Sequence, residues 1–336
     1  MTRLTTLLLT QRDVGRVLDM RTVIRAVEEA FRAIARGDTV MPSKLYLPLP
    51  RGSDFRAMPA YIRRPAACGV KWVNVHPENP RHGLPTVMAL VIINDPATGV
   101  PLAVMDGLLI TKLRTAAAGA VAAKALSRPE SRVVGLVGCG AQADAQIEAL
   151  AIVRRIRRVR VWGYRPGEAA AFCRRMRYAM ARVAWEPAVT IETCVRDADI
   201  LVTLTPSRRP VVRRRWLRPG VHINALGADA PGKQELEPAI LREGLVIVDD
   251  REQAIHGGEI NVAVAKGQWS PRRIRGSLGE VLLGRVRGRR TDAEITVFDS
   301  TGLAVHDVAV GSLAFRLAKA RHVGQRISLI APGSRT

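Results

Sequence analysis

The chain has 336 residues, 47% hydrophobic and 24% charged, which is length for about two domains and enough apolar surface to offset chain entropy. This excludes an intrinsically disordered chain, and no apolar run approaches the ~18 residues of a membrane span. A net charge of +22 raises nucleic acid as a partner, but the arginine clusters at 154–160, 174–177, 213–215 and 287–290 are dispersed, and aromatics at 4% are too few for stacking platforms. Neither a nucleic acid nor a membrane is expected.

Leu7 to Leu9 is too short an apolar stretch for a signal-peptide core, so a cytoplasmic chain is expected. Val14, Val17, Leu18, Val23, Ile24, Val27, Phe31 and Ile34 recur at helical spacing and predict one amphipathic helix over 11–36, ended by Gly37 and Asp38. From about 40 to 105 the pattern turns to short strands, at 69–75, 86–94 and 101–106, with turn signals at Asp95-Pro96 and Thr98-Gly99. Residues 111–127 are Ala-rich and apolar nearly all round, which predicts a buried helix. Strands at 133–137, 159–163, 200–205, 221–226, 245–249 and 295–298 then alternate with helices near 141–154, 167–182 and 234–242. That alternation argues for a parallel sheet with helices on both faces. The segment 302–321 is helical again and is expected to cross back to the first domain. The expected class is α/β: a Rossmann doubly wound parallel sheet over 123–302, and a mixed α+β domain from 1–122 with 303–336.

The four cysteines, Cys68, Cys139, Cys173 and Cys194, form no CxxC pair and have no His at ligand spacing. They read as small buried hydrophobes, and no metal site is expected. Only seven of the 52 basic residues are lysines. Where Arg would serve, this chain uses Arg, so a Lys at a motif-like position hints at a need for an amine that can release a proton.

The strongest local signal is Gly138-Cys139-Gly140-Ala141-Gln142-Ala143, directly after a β-run and opening a helix. Gly138 permits the tight turn, Gly140 lets a pyrophosphate approach the backbone, and Ala143 allows close helix–strand packing. The next strand runs into Gly163-Tyr164-Arg165 with no Asp or Glu for a ribose 2′-hydroxyl. Arg165, helped by Arg174, suits a 2′-phosphate, so the cofactor expected is NADP, with NAD as the alternative. Lys71 interrupts the apolar run Val70-Lys71-Trp72-Val73 and faces either solvent or a pocket. Arg114 falls on the buried-looking helix, where a charge demands a partner. Asp229 follows a strand end, the side of such sheets where ligands bind.

Several segments together resemble the ornithine cyclodeaminase/mu-crystallin family: MPA at 58, KWVNVHPEN at 71, GLPTV at 83, KLRTAA at 112, GCGAQA at 138, HINALGADAPGKQEL at 222 and TVFDSTGLAVHD at 296. The resemblance covers essentially the whole chain. It implies a homodimer whose first domain binds substrate and forms the dimer interface, and hydride transfer at a carbon bearing an amino or imino nitrogen. By position it implies Lys71 and Asp229 as catalytic groups. Arg114 would be the substrate-carboxylate clamp, with Lys44, Arg56, Thr86, Thr301 and Gly302 as further substrate contacts. Cofactor contacts implied are Thr115, Gly138, Gly140, Ala141, Gln142, Gly163, Tyr164, Arg165, Thr203, Thr205, Leu226 and Gly227. One departure matters. Where an ornithine cyclodeaminase carries a Glu for the distal amine, this chain has Phe55-Arg56-Ala57. A cation there makes the pocket electropositive and disfavours ornithine, unless Arg56 pairs with an acid such as Asp54. The expected activity is oxidative deamination of a small 2-amino acid, as in the alanine dehydrogenases of this family. Ketimine or pyrroline-carboxylate reduction, ornithine cyclisation and non-catalytic NADP binding are the alternatives.

Overall fold

A computed structural model describes residues 4–330. The chain divides into two compact units, residues up to Arg114 with those from Leu303 onward, and Thr115–Gly302. The first border thus falls at Arg114, inside a helix, rather than at residue 122.

The first unit begins with β1 (Thr6–Leu9), α1 (Gln11–Val17) and α2 (Met20–Arg36). The single helix expected over 11–36 is therefore two. Leu18 is extended (ψ 138°), and the Asp19 side chain caps α2 by accepting from Thr22 N at 3.0 Å. An Asp in that position competes for the local amides and starts a new helix. There follow β2 (Thr39–Val40), β3 (Leu45–Pro48), β4 (Asp54–Ile62), β5 (Ala67–Val75), β6 (Val87–Asn94) and β7 (Pro101–Asp106). Helix α3 (Gly107–Leu126) then leads from Arg114 into the second unit.

The second unit continues with β8 (Val133–Val137), α4 (Ala143–Val153), β9 (Arg158–Trp162), α5 (Glu168–Ala179), β10 (Ala184–Pro187), α6 (Ile191–Val195), β11 (Ile200–Thr203) and β12 (His222–Ala225). It ends with α7 (Pro238–Glu243), β13 (Leu245–Val248), α8 (Arg251–Gly257), α9 (Asn261–Ala265), β14 (Gly276–Ser277), α10 (Leu278–Leu282) and β15 (Thr296–Asp299). Its sheet has the order β10-β9-β8-β11-β12-β15-β13-β14, and every pairing is parallel. Chain order reverses between β8 and β11, which makes their C-terminal ends the topological switch point. Every residue of β11, β12, β13 and β15 is buried, as in strands covered on both faces. The helix expected over 234–242 starts only at Pro238, because the amides of Glu235 and Leu236 bond the Glu259 carboxylate instead.

Helix α11 (Ala304–Ala320) and β16 (Gln325–Ile327) complete the first unit. Its sheet runs β16-β1-β7-β6-β5-β4-β2, with β3 also on β4, and is antiparallel except for β1 with β7. Arg56, Met58, Lys71, Val73, Ala89, Val91 and Ile93 share the buried face. Helix α11 lies on it: a Cβ at Gly311 would stand 2.9 Å from a Val91 methyl, so glycine allows the approach. The alternating positions Trp72 and Leu90, cross-strand partners, point the other way and are exposed. Among the described residues no helix is long and apolar enough to cross a membrane, and no group of three or more His, Cys, Asp and Glu side chains is placed to hold a metal ion.

Candidate active site

In the first unit the period-two alternation of β5 turns Lys71 inward, between Met58 on β4 and Val91 on β6, and leaves it 2% exposed. Of the two orientations open in the sequence, the structure has the inward one. Asp307, in the first turn of α11 and fully buried, meets it: Lys71 Nζ lies 2.7 Å from Asp307 Oδ2. The other oxygen of the same carboxylate accepts from Arg114 Nε at 3.0 Å. The partner that a buried Arg114 demanded is thus Asp307.

Burial, followed by the nearby Arg114 charge, pulls the Lys71 ammonium down to about 7, with Asp307 opposing. Lys44 is near enough to depress it further. At neutral pH this amine can therefore both hold and release a proton. Burial alone would raise the Asp307 carboxyl, but Arg114 and Lys71 outweigh it and hold it below its ordinary value. His306, next along α11, is fully buried, packs edge-on to Phe31 at 4.3 Å, and has no partner on either ring nitrogen. Burial and the Arg114 charge lower it to about 3, so it stays neutral.

Arg56 shares the face that carries Lys71, but its guanidinium is clamped by Asp54, with Nε to Oδ1 at 2.7 Å and Nη2 to Oδ2 at 3.0 Å, and stacks over Tyr46. Of the two placements left open in the sequence, an uncompensated cation or a pair with Asp54, the structure has the pair. Thr86 precedes β6, and its carbonyl accepts from His76 N.

In the second unit, Gly138 follows β8 with φ +102°, a conformation that favours glycine, and a Cβ there would press on the Leu204 carbonyl group at 3.2 Å. Gly140 has open space where a Cβ would stand. The first turn of α4 carries no side-chain cap at Gln142, whose Oε1 is itself buried without a partner. At Gly163 a Cβ would strike the Cys139 sulfur at 2.8 Å, so glycine lets the end of β9 close on the Gly-rich turn. Open backbone, uncapped amides and a close-packed turn at the switch point fit a dinucleotide pyrophosphate. Ala141 lies inside this turn. Tyr164 and Arg165 are exposed beyond β9; Arg165 Nε is 3.9 Å from Glu168, and its amide bonds the same carboxylate. Thr115 is the residue after Arg114 on α3.

The remaining predicted residues of this unit are organised by carboxylates the sequence reading did not single out. Glu235, fully buried, accepts from Thr203 Oγ1 at 2.7 Å, Thr205 N at 2.6 Å, Thr205 Oγ1 at 2.7 Å and Gly227 N at 2.9 Å. Leu226 N bonds the Thr203 carbonyl. Asp249 accepts from the amides of Thr301 and Gly302 at 2.7 and 2.9 Å. Glu259 accepts from Glu235 N and Leu236 N, and Asp299 from Glu259 N and Ile260 N. Burial raises Glu235, raises Glu259 well above its ordinary value, and lifts Asp299 to about 8. Asp229, on the loop after β12, is partly exposed and ion-paired to Lys233 Nζ at 2.5 Å. Asp307 did carry a legible signal, since an acid set among Val305, Val308 and Val310 needs a partner as Arg114 does. Glu235 carried none beyond its place in a quoted segment.

The sequence profile of the ornithine cyclodeaminase/mu-crystallin family matches residues 4–320. The chain belongs to that family. An alanine dehydrogenase of Archaeoglobus fulgidus is 50% identical over 322 residues, 96% of this chain and 98% of the relative. A solved archaeal alanine dehydrogenase dimer with bound NAD superposes with a TM-score of 0.93 at 48% identity, covering 97% of this chain and all of that one. A Thermococcus litoralis Δ1-pyrroline-2-carboxylate reductase, solved with NADH and L-proline, gives 0.92 at 34% identity, covering 95% and 99%. As a member of this family the chain has the Rossmann-like sheet and the second, mixed sheet expected of it.

Proposed function

We propose that the chain is a cytoplasmic, homodimeric, NAD(P)-dependent amino-acid dehydrogenase that converts a small 2-amino acid and water to a 2-oxo acid and ammonia, and the reverse. The observation that carries this is the buried Lys71–Asp307–Arg114 cluster, where two basic side chains face one carboxylate. Such a cluster has room in its charge balance for one more carboxylate, that of the substrate. The 50% identity to an alanine dehydrogenase supports a small side chain. The exposed apolar pair Trp72 and Leu90, with Leu45 and Leu47 on β3, supports a second copy as the cover of that sheet face.

Arg114 binds the substrate carboxylate through its terminal nitrogens. Lys71, as the free amine, takes the proton of the substrate ammonium, and as the ammonium it returns one. Gly138, Gly140, Ala141 and Gln142 would hold the pyrophosphate of the dinucleotide, whose nicotinamide would supply the hydride acceptor for oxidation of C2 and the donor for the reverse. Asp229 handles the proton of the water that attacks the resulting 2-imino acid, which releases ammonia. Arg165, 80% exposed at its side chain, is available to a 2′-phosphate, so NADP is proposed to bind at least as well as NAD. Reduction of a cyclic imine is the second reading, supported by the pyrroline-carboxylate reductase at 34% identity. Closure of ornithine to proline is disfavoured by Arg56, whose pairing with Asp54 leaves no free carboxylate on that pair for a distal amine.

The test is oxidation of NADH and NADPH with pyruvate plus ammonia, against Δ1-pyrroline-2-carboxylate. Turnover with pyruvate and ammonia is expected. Turnover with the cyclic imine alone would replace the dehydrogenase reading by the reductase one.

A further inference from the structure

The mechanism above assigns no task to Asp307, yet this residue touches both basic groups in it. We infer that Asp307 is the positioning residue of the site: one carboxylate orients Arg114 through Nε and Lys71 through Nζ, so that carboxylate clamp and proton carrier stand side by side. The inference rests on the dehydrogenase reading for what the two groups then do.

The geometry divides the guanidinium. Nε donates to Asp307 Oδ1 at 3.0 Å, and the edge formed by the two terminal nitrogens remains for a bidentate bond to a substrate carboxylate. The second oxygen, Oδ2, lies 2.7 Å from Lys71 Nζ. In a 2-amino acid the nitrogen sits one carbon from the carboxylate, so an amine beside the clamp is beside the nitrogen whose proton must move. The carboxylate is itself well placed. It lies in the first turn of α11, where no side chain caps the helix and the helix dipole favours a negative charge. Other charged and titratable groups on the segments packed about it include His306, Lys44, Arg56 and Glu28. His306 is neutral, Lys44 adds positive charge, Arg56 is met by Asp54 on β4, and Glu28 on α2 is met by Arg32 at 2.7 Å. Asp307 is thus the acid that meets Lys71 in an ion pair.

Asp307→Asn separates the two tasks. Its Oδ1 can still accept from Arg114 Nε, while the charge opposing Arg114 at Lys71 is gone. The neutral amine is then favoured, and the limb of kcat/KM for alanine oxidation that reports Lys71, near pH 7 in the wild type, is expected to move to lower pH by about one unit or more. KM should change less than in Asp307→Ala, which removes both contacts and is expected to lose about a hundredfold or more in kcat/KM. A crystal structure of Asp307→Asn should show Arg114 in place and Lys71 Nζ turned away from residue 307. Should Asp307→Ala fail to fold, Asp307→Glu keeps the charge, and a reduced kcat with the limb still near pH 7 is the expected result. A pH limb unchanged in Asp307→Asn, with both basic side chains in their wild-type positions, would overturn the inference and leave Asp307 a packing residue. If the wild type oxidises no 2-amino acid with either cofactor, the dehydrogenase reading falls, and the crystallographic comparison still decides whether Asp307 positions Lys71.

Discussion

The two units bury titratable groups in opposite ways. The first sets Lys71 and Arg114 against Asp307, the one acid that pairs with either among the described residues. The second buries Glu235, Glu259, Asp249 and Asp299 and satisfies them with backbone amides and hydroxyls. Side-chain cations that face too few acids leave a charge for an outside molecule to complete, the role proposed above for the substrate carboxylate. Carboxylates that accept from main-chain donors leave nothing over; they tie strand ends together. The first arrangement suits the substrate proposed for it, and the second holds the loops at the C-terminal edge of a sheet in place.

Three changes sharpen or break that contrast. The largest effect is expected from Lys71→Ala, which removes the proposed proton carrier and should lower kcat by about 10²–10⁴-fold while cofactor affinity, measured by NADH fluorescence, stays at the wild-type value. A variant that keeps its kcat would return Lys71 to the role of a buried structural lysine.

A smaller effect is expected in the second unit. Glu235→Ala orphans donors on Thr203, Thr205 and Gly227 and lets the ends of β11 and β12 move. Cofactor affinity should fall about tenfold, roughly 1.4 kcal/mol, with the pH limb of Lys71 unmoved. Loss of that limb instead would mean that the two charge systems are not separate.

The smallest effect is a difference in slope with pH. Asp299 titrates near 3.8 when unfolded and about 8 when folded, so the native state keeps a proton the unfolded chain has released. Its contribution to stability is complete below about pH 4 and drains away as pH rises through 8. Lys71 falls from 10.5 to about 7, so its contribution is complete above about pH 10.5 and is lost as pH falls through 7. Hydrogen exchange corrected for intrinsic rates should show β15 losing protection from pH 6 to 8, and β5 gaining it from pH 8 to 10. Asp299→Asn and Lys71→Met should each flatten only its own slope. Parallel slopes in both regions would dissolve the contrast.

The repeated strand–helix alternation after residue 132 and the glycine spacing at 138–143 made the parallel sheet and its dinucleotide turn legible, because each signal is local: a period, a turn, a missing Cβ. Arg114 was legible as a buried charge for the same reason. The break at Leu18-Asp19 was not, since a capping aspartate and an apolar heptad compete at those positions and periodicity records only the second. Whether Arg56 is an uncompensated cation or pairs with Asp54 stayed open in the sequence, because strand geometry rather than composition decides it.

Sequence alone thus determined the elements, the class of fold and the residue types at the site, through interactions that span a turn or a strand. Tertiary structure decided which charges meet. Lys71, Arg114 and Asp307 lie on β5, α3 and α11, and the last is 193 residues from Arg114 in the chain. No local rule pairs groups so far apart. The cost of burying a charge without a partner does, once the sheet register and the close approach of α11 at Gly311 have brought them within 3.0 Å.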